Sequence, residues 1–288
     1  MKATTRIAKR VFKLFFRDKT AIFFTLLASI ILLTIYLLFL NRAFFSDEQM
    51  AMMPDLVYFQ SSWLMAGLAV VTAFSASFTA LAQMPVDRKS KAFDDFQVAP
   101  IRRSQIVAGY ILGSTFTAFV MSLATIAFTY GYLLIQKTTL PSPQNTLLII
   151  AATLLTTLVS SGLAFLFASG RNSVRSYGSI SSLMLTLIGF FAGAYIPFGT
   201  LGNSVRAFMS WLPFSHMASL ARKFYLADVI KAMNIPSQFD MADFRIKFGA
   251  DLEMLGKTVS PWLSAGLILL WALLFFGIGL FRIRKEQD

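Results

Sequence analysis

Apolar and polar positions in this chain alternate on the scale of whole segments. Six apolar runs, each near the ~20 residues that cross a ~30 Å hydrocarbon layer, fall at 21–40, 63–84, 106–135, 146–168, 176–198 and 261–281. None contains Asp, Glu, Lys or Arg, so each can lie in hydrocarbon without a desolvated charge. The pattern predicts an all-α polytopic membrane protein with six transmembrane helices. The third run is longer than a bilayer needs, and is expected to tilt or project.

Ahead of the first run, residues 4–18 carry a helical stripe. At roughly 100° per residue, Arg6, Lys9, Arg10, Lys13 and Arg17 fall within about 100° of arc, with Ile7, Ala8, Val11, Leu14 and Phe15 on the other side. This predicts an amphipathic interfacial helix over 1–20 with its apolar face at the acyl boundary, ahead of a six-span domain over 21–288. Between the last two runs, Ala207–Ala221 is apolar but only about 15 residues long, with Pro213 in its middle. A re-entrant or interfacial helix pair broken at Pro213 is expected there. Further on, Phe244, Ile246 and Phe248 alternate with Arg245 and Lys247, the period of a brief extended segment.

Charge sets the sidedness. Segments 1–20, 85–105, 169–175 and 282–288 hold 7, 5, 2 and 3 Lys or Arg, 17 in all, against 1 each in the opposite short loops 41–62 and 136–145. The positive-inside rule then puts both termini and the loop 85–105 in the cytoplasm and the long segment 199–260 outside, in a multi-pass protein of the plasma (inner or cell) membrane. The net charge of +12 sits in blocks that flank the apolar runs, so its counter-charge is anionic lipid and not nucleic acid. Hydrophobic side chains make up 56% of the chain, which excludes a soluble globule.

Catalysis has little to work with. There is no cysteine and one histidine, His216, so neither a thiolate nucleophile nor a histidine-based metal site is expected. Asp47, Glu48 and Asp55 form the tightest acidic group but lack a basic or histidine partner. No GxxxxGK[ST] loop is present: Gly109, Gly113, Ser114 and Thr115 come closest, without the lysine. Gly109 with Gly113, and Gly189 with Gly193, are small-xxx-small pairs for close helix packing. Hydroxyls gather in the second run (Thr72, Ser75) and the fifth (Ser182, Thr186, beside Phe190 and Phe191). Such walls suit a translocation path, while Ser and Thr equally bond their own helix carbonyls.

The sharpest signal is the loop after the second run, MPVDRKSKAFDDFQVAPIRRSQ over 84–105. Its basic residues follow from sidedness alone, but Asp94 and Asp95 do not. Ala92, Phe93 and Phe96 form one apolar stripe on a short helix that Pro100 should end, with no visible means of burial within the loop.

In this order the elements resemble the membrane subunit of an ABC-2 type exporter. The resemblance rests on Asp87-Arg88-Lys89, Phe93-Asp94 and Pro100-Ile101-Arg102-Arg103, and on Gly193-Ala194-Tyr195-Ile196-Pro197 with Leu212-Pro213-Phe214-Ser215 outside. The loop departs from the family in having Lys91-Ala92 where Gly-Thr is common, and residues 226–260 look like an enlarged external loop. The likeness implies a separate cytoplasmic ATPase subunit that binds MgATP, no cofactor in this chain, and a second permease copy, identical or paralogous. It further implies an ATPase-coupling helix (Arg88, Ala92, Phe93, Asp94, Asp95, Phe96, Pro100) and an external re-entrant segment marked by Pro197, Pro213 and His216. Charge-free, Phe-rich spans tilt the expected cargo towards a hydrophobic or amphipathic drug, lipid or small peptide. The alternative is an ATPase-independent channel or scaffold, but the polar ring or ionisable site a channel would carry at depth is missing from the runs.

Overall fold

The structure is a computed structural model that describes residues 2–36, 53, 55–170, 173–233, 235 and 240–285. Its helices are α1 (Lys2–Arg17), α2 (Lys19–Ile35), α3 (Leu56–Leu81), α4 (Gln83–Lys89), α5 (Ala92–Val98), α6 (Arg103–Ile135), α7 (Pro143–Ser169), α8 (Val174–Phe191), α9 (Asn203–Met209), α10 (Pro213–Ala232), α11 (Met241–Lys247) and α12 (Pro261–Lys285). The only described sheet is an antiparallel hairpin of β1 (Glu253–Met254) and β2 (Lys257–Thr258). Among the described residues five helical segments are long and apolar enough to cross a membrane, or six if α1 and α2, which meet at 77°, count as one broken span. This is an all-α polytopic membrane protein. Residues 37–40 of the first run, and Asp47 and Glu48 in the loop after it, lie outside the described residues.

α3 is the central post. Some 94% of its apolar stretch is buried, and α2, α6, α7 and α10 pack around it. Small residues make this possible: Ala66, Gly67, Ala69, Ala73, Ala76 and Ala80 let neighbouring backbones approach closely. Hydroxyls bond across the same contacts, Ser29 to Thr72 (2.7 Å), Thr125 to Thr72 (3.3 Å) and Ser161 to Ser77 (3.2 Å). α8 is the opposite case, with only 17% of its apolar stretch buried.

Three expectations change. The amphipathic helix α1 forms, but Ile7, Val11 and Phe15 are seated against the chain's own core and not in an acyl boundary. Gly109 and Gly113 of α6 make the room: a Cβ on Gly109 would stand 2.6 Å from Ile7 Cβ, and one on Gly113 would stand 2.8 Å from Val11 Cβ. The second span begins at Leu56, earlier than the run at 63, while the fifth ends at Phe191, short of 198. There Gly193 (φ +59°) reverses the chain, a conformation glycine adopts without steric cost. Finally, Phe244–Phe248 is not extended. Asp240 accepts hydrogen bonds from the Ala242 and Asp243 amides (2.9 and 3.1 Å) and so caps α11. The helix puts Phe244 and Phe248 on one side, both against Phe59 (4.7 and 5.1 Å between ring centroids). Alternation of Phe with Arg and Lys mimicked a strand because i and i+4 are both even steps.

Pro213 does break the segment 207–221, entering α10 at its first residue, where a proline lacks nothing. Pro100 likewise follows an extended Ala99 (ψ 150°) that ends α5.

Candidate functional site

At the end of the bundle that holds α1, α3 runs through a turn at Ala82 into α4, which brings Asp87 to the inside. The residue is 1% exposed, and its carboxylate accepts four hydrogen bonds. Arg10 of α1 binds it in two-pronged fashion (2.5 and 2.9 Å), Gln83 donates one turn below (2.6 Å), and the Tyr110 hydroxyl of α6 donates the fourth. A buried carboxylate is tolerable only when its charge is matched and its lone pairs filled, and both conditions hold here. Three segments far apart in sequence are thereby tied at one atom group.

α5 is clamped to the same joint. Phe93 stacks on the Tyr110 ring (6.3 Å) with the Arg88 guanidinium 5.5 Å from its centroid, and Phe96 lies 5.6 Å from Arg10. Arg88 also donates to the carbonyls of Ala168 and Ser169 (both 3.2 Å), the open C-terminus of α7, where a cation is favoured. The apolar stripe therefore does have somewhere to go: Ala92, Phe93 and Phe96 are half-buried on their own chain, contrary to the expectation of an unburied surface. What α5 turns outward is Asp94, Asp95 and Val98, the last 86% exposed. Pro100 is exposed beside them.

Lys91, immediately before α5, has φ +60°. This left-handed position is where a glycine is free of Cβ strain, which gives a physical reason for the Gly-Thr pair that this sequence lacks. Lys91→Gly is expected to stabilise the folded chain by about 0.5–1 kcal/mol, read as a higher melting temperature of the detergent-solubilised protein.

The sequence reading missed Asp87, Arg10, Tyr110 and Gln83 as a unit. One signal was available: Asp87 is an acid inside a basic block, the same anomaly that drew notice to Asp94 and Asp95.

A family model for the ABC-2 type transporter matches residues 2–226, some three quarters of the chain and all of the joint. The chain belongs to the ABC-2 type transporter family. No curated protein sequence matches it. The ABC-2 match ends at Leu226, inside α10, so residues 227–260 and the last span lie beyond it.

The remaining candidate residues of this ABC-2 chain are divided by the fold. Thr72 and Ser75 lie buried inside the chain on α3, Thr72 bonded to Ser29 of α2 and Thr125 of α6. Ser182, Thr186 and Phe190 are exposed along α8, and Phe191 is half-buried, stacked 5.8 Å from Phe214. One protomer therefore brings the α3 and α8 groups to different places. Thr186 donates to the Ser182 carbonyl (3.0 Å), so the self-bonding of hydroxyls holds at this position.

At the opposite end, Pro197 precedes a single 3-10 turn (Phe198–Thr200), and His216 is fully buried. Its Nε2–H donates to the Ser210 carbonyl (2.8 Å), leaving Nδ1 to accept from the Ser264 hydroxyl (3.2 Å), so it ties α10 to α12. Arg222, also unforeseen, is 1% exposed; it donates to the Gly193 carbonyl (2.6 Å) and lies 4.8 Å from the Trp63 ring centroid. Trp63 in turn donates to the Phe248 carbonyl (2.7 Å). Outside these helices, Asp251 bridges Lys223 and Arg245 (2.7 Å each). Burial alone would raise its pKa, but the two cations outweigh burial and hold the carboxyl below its ordinary range. Among the described residues no three His, Asp or Glu side chains are grouped to hold a metal.

Proposed function

We propose that this chain is the transmembrane subunit of an ATP-driven exporter, coupled to a separate cytoplasmic ATPase that binds MgATP, and that it moves a hydrophobic or amphipathic molecule such as a drug, lipid or small peptide. The observation that carries the reading is the joint at Asp87. α5 presents acids and one bare valine outward, while its inner face is fastened to α1, α6 and α7 through Phe93, Phe96, Arg10, Asp87, Tyr110 and Arg88. A helix held in this way works as a lever: a push on its outer face reaches three long helices without first deforming α5 itself.

In this reading α1, the loop 85–105 and both termini are cytoplasmic in a cell membrane, and α9 and α10 form the external re-entrant segment. A second copy, identical or paralogous, covers α8. That helix exposes Ser179, Ser182 and Thr186 beside Leu183 and Phe190, whereas the outer faces of α6 over 106–135 and of α12 expose Leu, Phe and Trp without hydroxyls, and hydroxyls gain nothing from lipid. Closure of two ATPases drives the two α5 helices together, and the weakly packed α8 changes which side the path between the copies opens to.

The test uses the permease with the ATPase that co-purifies with it from native membranes. Val98→Asp combined with Asp94→Lys and Asp95→Lys is expected to abolish co-purification while leaving the melting temperature of the permease within about 5 °C, because exposed positions change stability by at most ~0.5 kcal/mol each, about 1.5 kcal/mol for the three. Phe93→Ala with Phe96→Ala is expected to do the reverse, lowering the melting temperature first. Undiminished co-purification and ATP hydrolysis in the triple variant would overturn the assignment of α5 as the docking helix.

A further inference from the structure

Beyond the joint, one cleft at the opposite end has a built chemistry that transport by itself does not call for. It is 450 Å³ in volume, lies between α9 and the β1–β2 hairpin, and is lined by Asn203, Arg206, Trp211, Ile246, Glu253 and Leu255 among others. Arg206 enters it half-buried. One of its terminal nitrogens donates to the Asn203 side chain (2.5 Å), while its Nε is buried without a hydrogen-bond partner. Glu253 borders the same space, yet no ion pair forms between the two. A cation and an anion that line one cleft without pairing suit a ligand that carries both charges.

The surroundings fix the level in the membrane and the apolar part of that ligand. α12 enters the bilayer three residues after Thr258, with Trp262 85% exposed at its start, the position aromatic side chains take at a membrane boundary. Val205, Phe208 and Trp211 form an exposed apolar row on α9 and the residues just after it, beside the cleft. The hairpin turn is Leu255-Gly256, both residues with positive φ (54° and 74°). Asn or Asp is the ordinary occupant of that first position, and a leucine there is strained. This leucine is 81% exposed, so strain is accepted in order to present an apolar side chain at the mouth of the cleft.

We propose that the cleft binds the headgroup of a zwitterionic, primary-amine phospholipid from the leaflet it faces. Arg206 takes the phosphate, Glu253 takes the ammonium, Trp211 lies over the ammonium face, and Leu255 with Phe208 contacts the acyl chains. The inference requires only that this end lies at a membrane face, so it stands or falls apart from the ATPase assignment.

The experiment is lipid binding to the purified full-length chain in detergent, by native mass spectrometry and by quenching of tryptophan fluorescence with bromine-labelled acyl chains, with Trp211→Phe as the control. Phosphatidylethanolamine is expected to bind about tenfold more tightly than phosphatidylglycerol of equal chain length. Glu253→Gln should erase that preference, and Arg206→Gln should weaken both lipids. Leu255→Gly separates architecture from recognition: it should raise the melting temperature by relieving the strained turn and weaken lipid binding at the same time. Equal binding of the two lipids, or unchanged preference in Glu253→Gln, would overturn the proposal. So would glycerophosphoethanolamine, which has no acyl chains, binding as tightly as the lipid, since the site would then serve a soluble zwitterion.

Discussion

Asp87→Ala is expected to leave the chain inserted in the membrane and bound to the ATPase proposed as its partner, but to cut transport-coupled ATP hydrolysis by tenfold or more. The carboxylate receives four hydrogen bonds from Arg10, Gln83 and Tyr110, and alanine leaves all of these donors without their acceptor. Removing one partner of a buried ion pair costs about 3–5 kcal/mol. Arg10 keeps 34% of its side-chain surface and can turn towards water, so the loss of stability here should be smaller, about 2–3 kcal/mol. The measurement pairs thermal unfolding of the detergent-solubilised variant with ATP hydrolysis by the reconstituted complex. A double-mutant cycle with Arg10→Ala isolates the contact: a coupling energy of about 1–3 kcal/mol is expected. Strict additivity, or normal coupled hydrolysis in Asp87→Ala, would show that the joint transmits nothing.

Gly113→Val should produce the same uncoupling from the other side. Its Cβ would stand 2.8 Å from Val11 Cβ, 2.9 Å from the Ala8 carbonyl oxygen and 3.1 Å from Ala8 Cα. Two of these neighbours are backbone, so no rotamer change relieves the clash and α1 must move off α6. Overpacking of this kind costs about 1–3 kcal/mol. Arg10 lies between Ala8 and Val11 on α1, so displacing the helix also withdraws the guanidinium from Asp87. Increased proteolysis of residues 2–17 together with loss of coupled hydrolysis is expected. Gly131→Ala on the same helix is the control, because a Cβ there meets nothing within 4 Å, and the better helix propensity of alanine should leave the protein as stable as before or slightly more so.

The amphipathic register of α1 was readable from spacing, and so was the short helix at 92–98. What each apolar face packs against was not. Both faces were assigned to something outside the chain, a bilayer for α1 and a partner for α5, because a periodic stripe says only that a face must be covered. The fold covers both with the chain's own α6: Ile7 and Val11 against Gly109 and Gly113, Phe93 against Tyr110. The hydroxyl-bearing residues divide for a related reason. Thr72 and Ser182 look alike in sequence, but one sits on the most buried helix and the other on the least.

The sequence by itself determined the features that backbone chemistry enforces locally. Charge-free runs without strand alternation are helical where they cross hydrocarbon, because a lone segment satisfies its amides there no other way, Pro100 stops α5, and Pro213 opens a new helix. Tertiary structure alone decided which polar groups meet. Asp87 finds Arg10 across 77 residues, Arg88 finds the end of α7 across 80, and Trp63 finds Phe248 across 185. Pairings at such separations follow from which helix faces pack together, and residue spacing along a chain carries no record of that packing. The loop after the second span was legible as a candidate docking surface, while Asp87, visible in the sequence only as an acid inside a basic block, met its partners only where α1, α4 and α6 close around it.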